Sequence, residues 1–229
     1  MTDKELEEEL GSELAEEVKE APDSLTLSVT TPDEVATILE TPVLDPHETE
    51  PHYELTEPVF FVGFMVAGKT SVSRKLARTC GVASVDLDAY IERREGKAIN
   101  QIFAEVGDAG FRLIETEVLD EFAHGEPILV SCGGGIVLPE RNREIIKGNG
   151  CCVYLMVTAE EAAARIGDVS TRPNFHDLDT ARVTIANRLP MYEEVADISV
   201  DTVGKSIAEV AREVRVELEK AGVLCQLQK

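Results

Sequence analysis

No apolar run in these 229 residues approaches the ~20 that a membrane-spanning helix requires. The five cysteines, Cys80, Cys132, Cys151, Cys152 and Cys225, form no C-x-x-C pair and no metal-ligand spacing. That excludes a disulfide scaffold and reads as reduced cytosolic thiols. Basic residues are scarce, 22 Lys and Arg against 44 Asp and Glu, for a net charge of −22. Nucleic acid and anionic membranes are therefore excluded as main partners. The opening MTDKELEEEL lacks the basic-then-apolar pattern of a signal or transit peptide, so the expected location is the cytoplasm. What is present, 43% hydrophobic and 29% charged residues, is the composition of a globular chain long enough for one or two domains.

The charge divides the chain. Residues 1–57 carry 18 acidic residues against two lysines, a net of −16, which leaves −6 for residues 58–229. Within the extension Leu6, Leu10, Leu14 and Val18 recur every four residues, and Thr2 with Glu5 fits a capping box. Leu25, Leu27 and Val29 alternate as in a strand, and Thr31-Pro32 reads as a helix start. Pro42, Pro46, Pro51 and Pro58 mark residues 41–57 as a linker. The expectation is an acidic, partly disordered extension over 1–57 and a more ordinary folded domain over 58–229. The extension reads either as a solvated tail or as a docking segment for an unidentified partner or for the domain.

From Val59 short apolar runs alternate with helical periodicity. Strands are expected at Val59–Val62, Val82–Leu87, Ile128–Val130, Cys152–Val157 and near Ile198–Val200. Helices are expected over 70–80, 88–106, 111–123, 139–147, after Thr158, and about 205–221. The alternation predicts an α/β fold with a parallel sheet covered on both faces.

The first strand runs into Gly63-Phe64-Met65-Val66-Ala67-Gly68-Lys69-Thr70, then Ser71 and a helix. This is G-x-x-x-x-G-K-[ST] in the strand–loop–helix context that gives it meaning. Its backbone N–H groups and the helix N-terminus suit polyphosphate, Lys69 can reach the β- and γ-phosphates, and Thr70 can ligate Mg²⁺. Val66 is the awkward position, because a β-branched residue resists positive φ.

Asp86-Leu87-Asp88 closes the second strand, and strand alternation would place Asp86 and Asp88 on one side. One carboxylate could hold Mg²⁺ or its water, and the other could deprotonate a hydroxyl. Ser131-Cys132-Gly133-Gly134-Gly135 follows the third strand and lets a substrate approach the backbone. Arg112, Arg165, Arg172 and Arg188, read in loops or at helix ends, suit an anionic substrate. Residues 166–181 read as a mobile lid.

Taken in order, GFMVAGKT, DLD, GFRLIE, SCGGG, RP and NRLPMYEEVAD resemble the shikimate kinase family over about residues 58–220. The resemblance implies a P-loop, nucleoside-monophosphate-kinase-like three-layer fold. It also implies ATP- and Mg²⁺-dependent phosphorylation of the 3-hydroxyl of shikimate, on the route to chorismate and aromatic amino acids. By position it implies Lys69, Asp88 and Arg172 as catalytic, and Thr70 and Asp86 at the metal. Gly63, Val66, Ala67, Gly68, Lys69, Thr70, Ser71, Arg165 and Arg172 would hold ATP. Asp88, Phe103, Phe111, Arg112, Glu115, Gly133, Gly134, Gly135 and Arg188 would hold shikimate, the two arginines gripping its carboxylate. Val66, and Asn174 and Phe175 after Arg172-Pro173, depart from the family pattern. The implied partners are ATP and shikimate, with the protein a monomer. The competing readings are a related kinase, such as one acting on gluconate, and a nucleotide-binding protein without catalysis.

Overall fold

The computed structural model describes residues 52–166 and 178–227. The readings made for residues 1–51, and Arg172, Asn174 and Phe175, fall outside the described residues.

The run Val59–Val62 is strand β2, buried at every residue. Val59 and Phe61 enter one apolar cluster, Phe60 and Val62 the other. That is period-two alternation in a strand covered on both faces. β3 (Ser84–Asp86), β4 (Leu129–Ser131), β5 (Cys151–Met156) and β6 (Ile198–Asp201) complete a parallel sheet ordered β3-β4-β2-β5-β6. The strand that feeds the glycine loop is therefore central. Its C-terminal end lies where such sheets bind ligands.

Helices α1 (Lys69–Cys80) and α7 (Ile207–Ala221) cover one face, burying Val72, Leu76 and Ala77 with Val210, Val214 and Leu218. On the other face α2 (Leu87–Glu95), α3 (Ile99–Ala123) and α4 (Glu140–Asn149) bury Tyr90, Ile91, Val118, Leu119, Phe122, Ile145 and Ile146. α5 (Ala159–Ile166) and α6 (Leu178–Val195) stand between β5 and β6 in chain order. The expected helix start at Thr158 holds, its hydroxyl accepting from Glu161 N at 3.2 Å. Ser206 and Glu209 close a capping box on α7. The three-layer α/β architecture is as expected.

Several details are corrected. The helix expected over 88–106 is two, because Gly96 ends α2 in the left-handed region at φ 64°. The break expected near Gly107 is a kink inside α3, with Gly107 at φ 69°. α6 has no counterpart in the sequence reading. It holds Pro190, and only Ala181, Tyr192 and Val195 of it are buried, so neither composition nor periodicity marks it. Leu178–Ala181, assigned to the lid, form its first turn.

The linker expected over 41–57 ends earlier. Tyr53–Leu55 form β1, which pairs antiparallel with β7 (Leu224–Gln226). Tyr53 and Leu55 join the core cluster that holds α1 and α7. β1 lies within a proline-punctuated stretch and β7 follows the last helix, so neither stood in the strand–helix alternation from which the sheet was read. A truncation that removes residues 1–57 therefore loses two core side chains. It is expected to cost about 3 kcal/mol more stability than one that removes 1–51, at ~1.5–3 kcal/mol per large apolar side chain. Urea melts of the two truncated proteins check this, and equal midpoints would refute it.

Candidate active site

The glycine loop folds around its own lysine. Lys69, 8% exposed, donates from Nζ to the carbonyls of Gly63 at 2.9 Å and Phe64 at 3.0 Å. Gly63 has φ 140°, and a Cβ on it would stand 2.5 Å from the Leu155 carbonyl oxygen. Gly68, at φ 98°, turns the chain into α1. Val66 stands at φ 57°, the only non-glycine residue with positive φ among those described. The left-handed backbone foreseen there is present, and it costs a β-branched residue ~1–2 kcal/mol. Val66→Gly should therefore raise the melting temperature by about 2–4 °C, taking ~1 kcal/mol as the net gain. It should also tighten ATP binding. A melting temperature that falls would show that the loop tolerates the side chain.

Behind the loop lies a cluster of hard oxygens. Thr70 Oγ1 donates to Asp86 Oδ2 at 2.6 Å and lies 3.1 Å from Ser131 Oγ. Asp86 Oδ1 accepts from Ala89 N at 3.1 Å, which makes Asp86 the N-cap of α2. The strand-alternation argument for Asp86 and Asp88 is thereby corrected: Asp88 stands in the first turn of α2. Both nevertheless line the same cleft, because the helix starts at the sheet edge. Asp88 is open to the cleft yet crowded by protein. The surrounding protein, and then the Asp86 charge, raise its carboxyl above the usual aspartate value against the pull of Lys69. Among the described residues no group of three or more His, Cys, Asp or Glu could hold a metal.

Gly133 and Gly135 make room for side chains, and Gly134 lies against the backbone of the glycine loop. A Cβ on Gly133 would meet Asp88 Oδ1 at 2.9 Å and Glu115 Oε1 at 3.0 Å. One on Gly135 would meet the Arg112 guanidinium at 2.7 Å. The Gly134 carbonyl accepts from Arg188 Nη1 at 3.1 Å and from Tyr192 Oη at 2.6 Å. Arg188 thus acts from within α6, not from a loop or helix end. Arg112 Nη1 donates to Glu115 Oε2 at 2.6 Å, and the guanidinium lies beside the stacked rings of Phe103 and Phe111. Glu115 is 1% exposed, and burial raises its carboxyl despite Arg112. Burial pushes the Cys132 thiol well above its usual value, so it fills space rather than reacts.

The glycine loop with Thr70, Ser71, Asp86, Asp88, Cys132, Gly133 and Gly134 lines a cleft of about 610 Å³ that runs from the loop to the start of α7. Arg165 braces that far end, donating to Val66 O at 3.3 Å and Thr202 O at 2.6 Å. Thr202, Lys205, Ser206 and Ile207 also line it and were missed by the sequence reading. The available signal was topological: β6 ends on the same sheet edge as β2, and a capped helix follows. Asn142, fully buried, was missed too. It accepts from Thr116 Oγ1 at 2.7 Å and donates to Ile136 O at 2.9 Å, pinning the segment after the glycines.

The sequence model of the shikimate kinase family matches residues 65–219. The chain belongs to the shikimate kinase family. It is 38% identical over 164 residues to a shikimate kinase of Dehalococcoides mccartyi, covering 71% of this chain and 93% of that one. It is 39% identical over 163 residues to that of Thermobifida fusca, covering 70% and 94%. A solved shikimate kinase of Acinetobacter baumannii in complex with shikimate superposes with a TM-score of 0.68 at 32% identity, over 72% of this chain and 94% of that one. The match begins inside the glycine loop and ends within α7, so the acidic extension lies outside it.

Proposed function

We propose that the protein transfers the γ-phosphoryl group of ATP to the 3-hydroxyl of shikimate. One observation carries the reading. A phosphate-binding loop, a cleft carboxylate and two arginines converge on a single Gly-Gly-Gly segment, Gly133–Gly135. The loop amides, Gly63, Val66, Ala67, Gly68, Thr70 and Ser71 among them, would cradle the phosphates, with Lys69 leaving the loop carbonyls to take them. Arg165 would sit against the adenine end. Arg112 and Arg188 would hold the shikimate carboxylate, with Glu115 fixing Arg112, Phe103 and Phe111 forming the apolar wall, and Gly133, Gly134 and Gly135 the floor. Arg172 would close on the transferred group.

The chemistry is positioning and charge neutralisation. Asp88 accepts the proton of the 3-hydroxyl as that oxygen bonds to the γ-phosphorus. The bond from phosphorus to the β–γ bridging oxygen breaks, and ADP leaves. Thr70, Asp86 and Ser131 supply oxygen donors of the kind Mg²⁺ accepts alongside phosphates and water. A Thr70 hydroxyl that donates to Asp86 keeps its lone pairs for a metal. Bound there, Mg²⁺ would neutralise phosphate charge.

We assign the catalytic domain to residues 58–229, with β1 as its N-terminal attachment. The location proposed is the cytoplasm, consistent with buried thiols at Cys132, Cys151 and Cys152. No described helix is long and apolar enough to cross a membrane. The test is ADP release with MgATP in the presence of shikimate or of gluconate. Shikimate-dependent release, absent with gluconate, is expected. ATP binding without such turnover would favour the non-catalytic reading.

A further inference from the structure

The Arg112 guanidinium offers its donors unequally. Nη1 is engaged by Glu115, whose side chain is 2% exposed and cannot move away without repacking. Nη2 is held at 3.4 Å by Asp108 Oδ1, long for a charge-assisted hydrogen bond, and the Asp108 side chain is 73% exposed. Nε is buried and has no hydrogen-bond partner. In a guanidinium, Nε–H and one Nη2–H point the same way. They form the edge that receives both oxygens of a carboxylate. That edge thus holds one buried donor without a partner, which a ligand reaches only as its surroundings give way, and one donor under weak hold by a displaceable acid.

Gly107 explains why that acid is there. Its φ of 69° breaks α3, so the helix resumes at Asp108 and sets it four residues before Arg112. We propose that Asp108 is an internal competitor for the substrate's carboxylate: it occupies Arg112 Nη2 until that carboxylate displaces it. The inference rests on the assignment of Arg112 to the shikimate carboxylate. Asp108 then sets the affinity threshold of the site. A ligand with a carboxylate matched to both Nε and Nη2 displaces it, whereas one that offers a single oxygen or a neutral group gains less. Asp108 is a positioning residue here, acting through Arg112.

The test is steady-state kinetics of Asp108→Asn and Asp108→Ser beside the unaltered protein. Removing an exposed competing charge should lower the KM for shikimate by about two- to five-fold. The change should be confined to that KM and narrow as KCl screens the competing charge. Asp108→Glu, which keeps the charge, should restore the higher KM. With the carboxamide analogue of shikimate as competitive inhibitor, the two charge-removing variants should show no tighter inhibition. A raised or unchanged shikimate KM in both variants would overturn the inference, as would an equal gain for the carboxamide. Arg112→Ala separates this from the parent assignment. If it raises the shikimate KM strongly while the Asp108 variants do nothing, only the competitor idea fails. If it leaves that KM unchanged, the carboxylate assignment fails as well.

Discussion

Asp88→Asn is expected to lower turnover by about 10²–10⁴-fold, the usual loss when a positioned acid or base is removed, while ATP affinity holds. Asp88 faces the cleft from the first turn of α2 beside Gly133, and its substitution leaves in place the loop amides proposed to hold phosphate. The acid limb of the pH–rate profile should lie above the ordinary aspartate range, because the surrounding protein and Asp86 raise this carboxyl. Stability should move the other way. A carboxyl raised by folding contributes stability below its unfolded pKa, and that contribution is lost as pH rises through the folded value. At neutral pH the asparagine variant should therefore melt higher than the parent. The gap should close as pH falls below about 4, the unfolded aspartate value. Unchanged turnover would remove Asp88 from the chemistry. A lower melting temperature at pH 7 would show that its charge is compensated in the cleft.

Gly63→Ala is expected to be the most damaging single methyl group in the phosphate loop. The added carbon would stand 2.5 Å from the Leu155 carbonyl oxygen, which is strand backbone and cannot swing aside, and φ is 140° besides. Strain and overpacking together should cost about 3 kcal/mol. That is a fall of about 6–12 °C in melting temperature for a domain of this size. ATP binding should be lost with it, since moving Gly63 moves the carbonyl that Lys69 holds. A fall of only a degree with ATP binding retained would mean that β5 can recede.

These two residues show what the chain reveals before it folds. Gly63 belongs to a local pattern, and its need for glycine follows from strand, loop and helix in immediate succession. Asp88 was found by an argument that does not hold: the chain is already helical there, and Asp86, not Asp88, caps it. Both face the cleft because the sheet edge gathers them, a tertiary effect that spacing alone does not encode. Arg188 and Tyr192 were harder still. They reach Gly134 from α6, a helix with few buried residues and a proline near its end. Thr202 and Lys205 become site residues only once β6 is known to pair with β5 in parallel. Sequence resemblance supplied the arginine assignments where physical pattern could not.

The β1–β7 pair has a consequence for how the molecule is made. Thr56 donates from N to Val223 O, and its hydroxyl also reaches that carbonyl, 167 positions along the chain. Contacts at that separation form late, since the intervening loop must first be closed at an entropic cost. During synthesis β2 to β5 can assemble as they emerge, but β1 must wait for a strand that is translated long after it. Until then Tyr53 and Leu55 lack their strand partners, and the clasp registers that the whole sheet and α7 have been made.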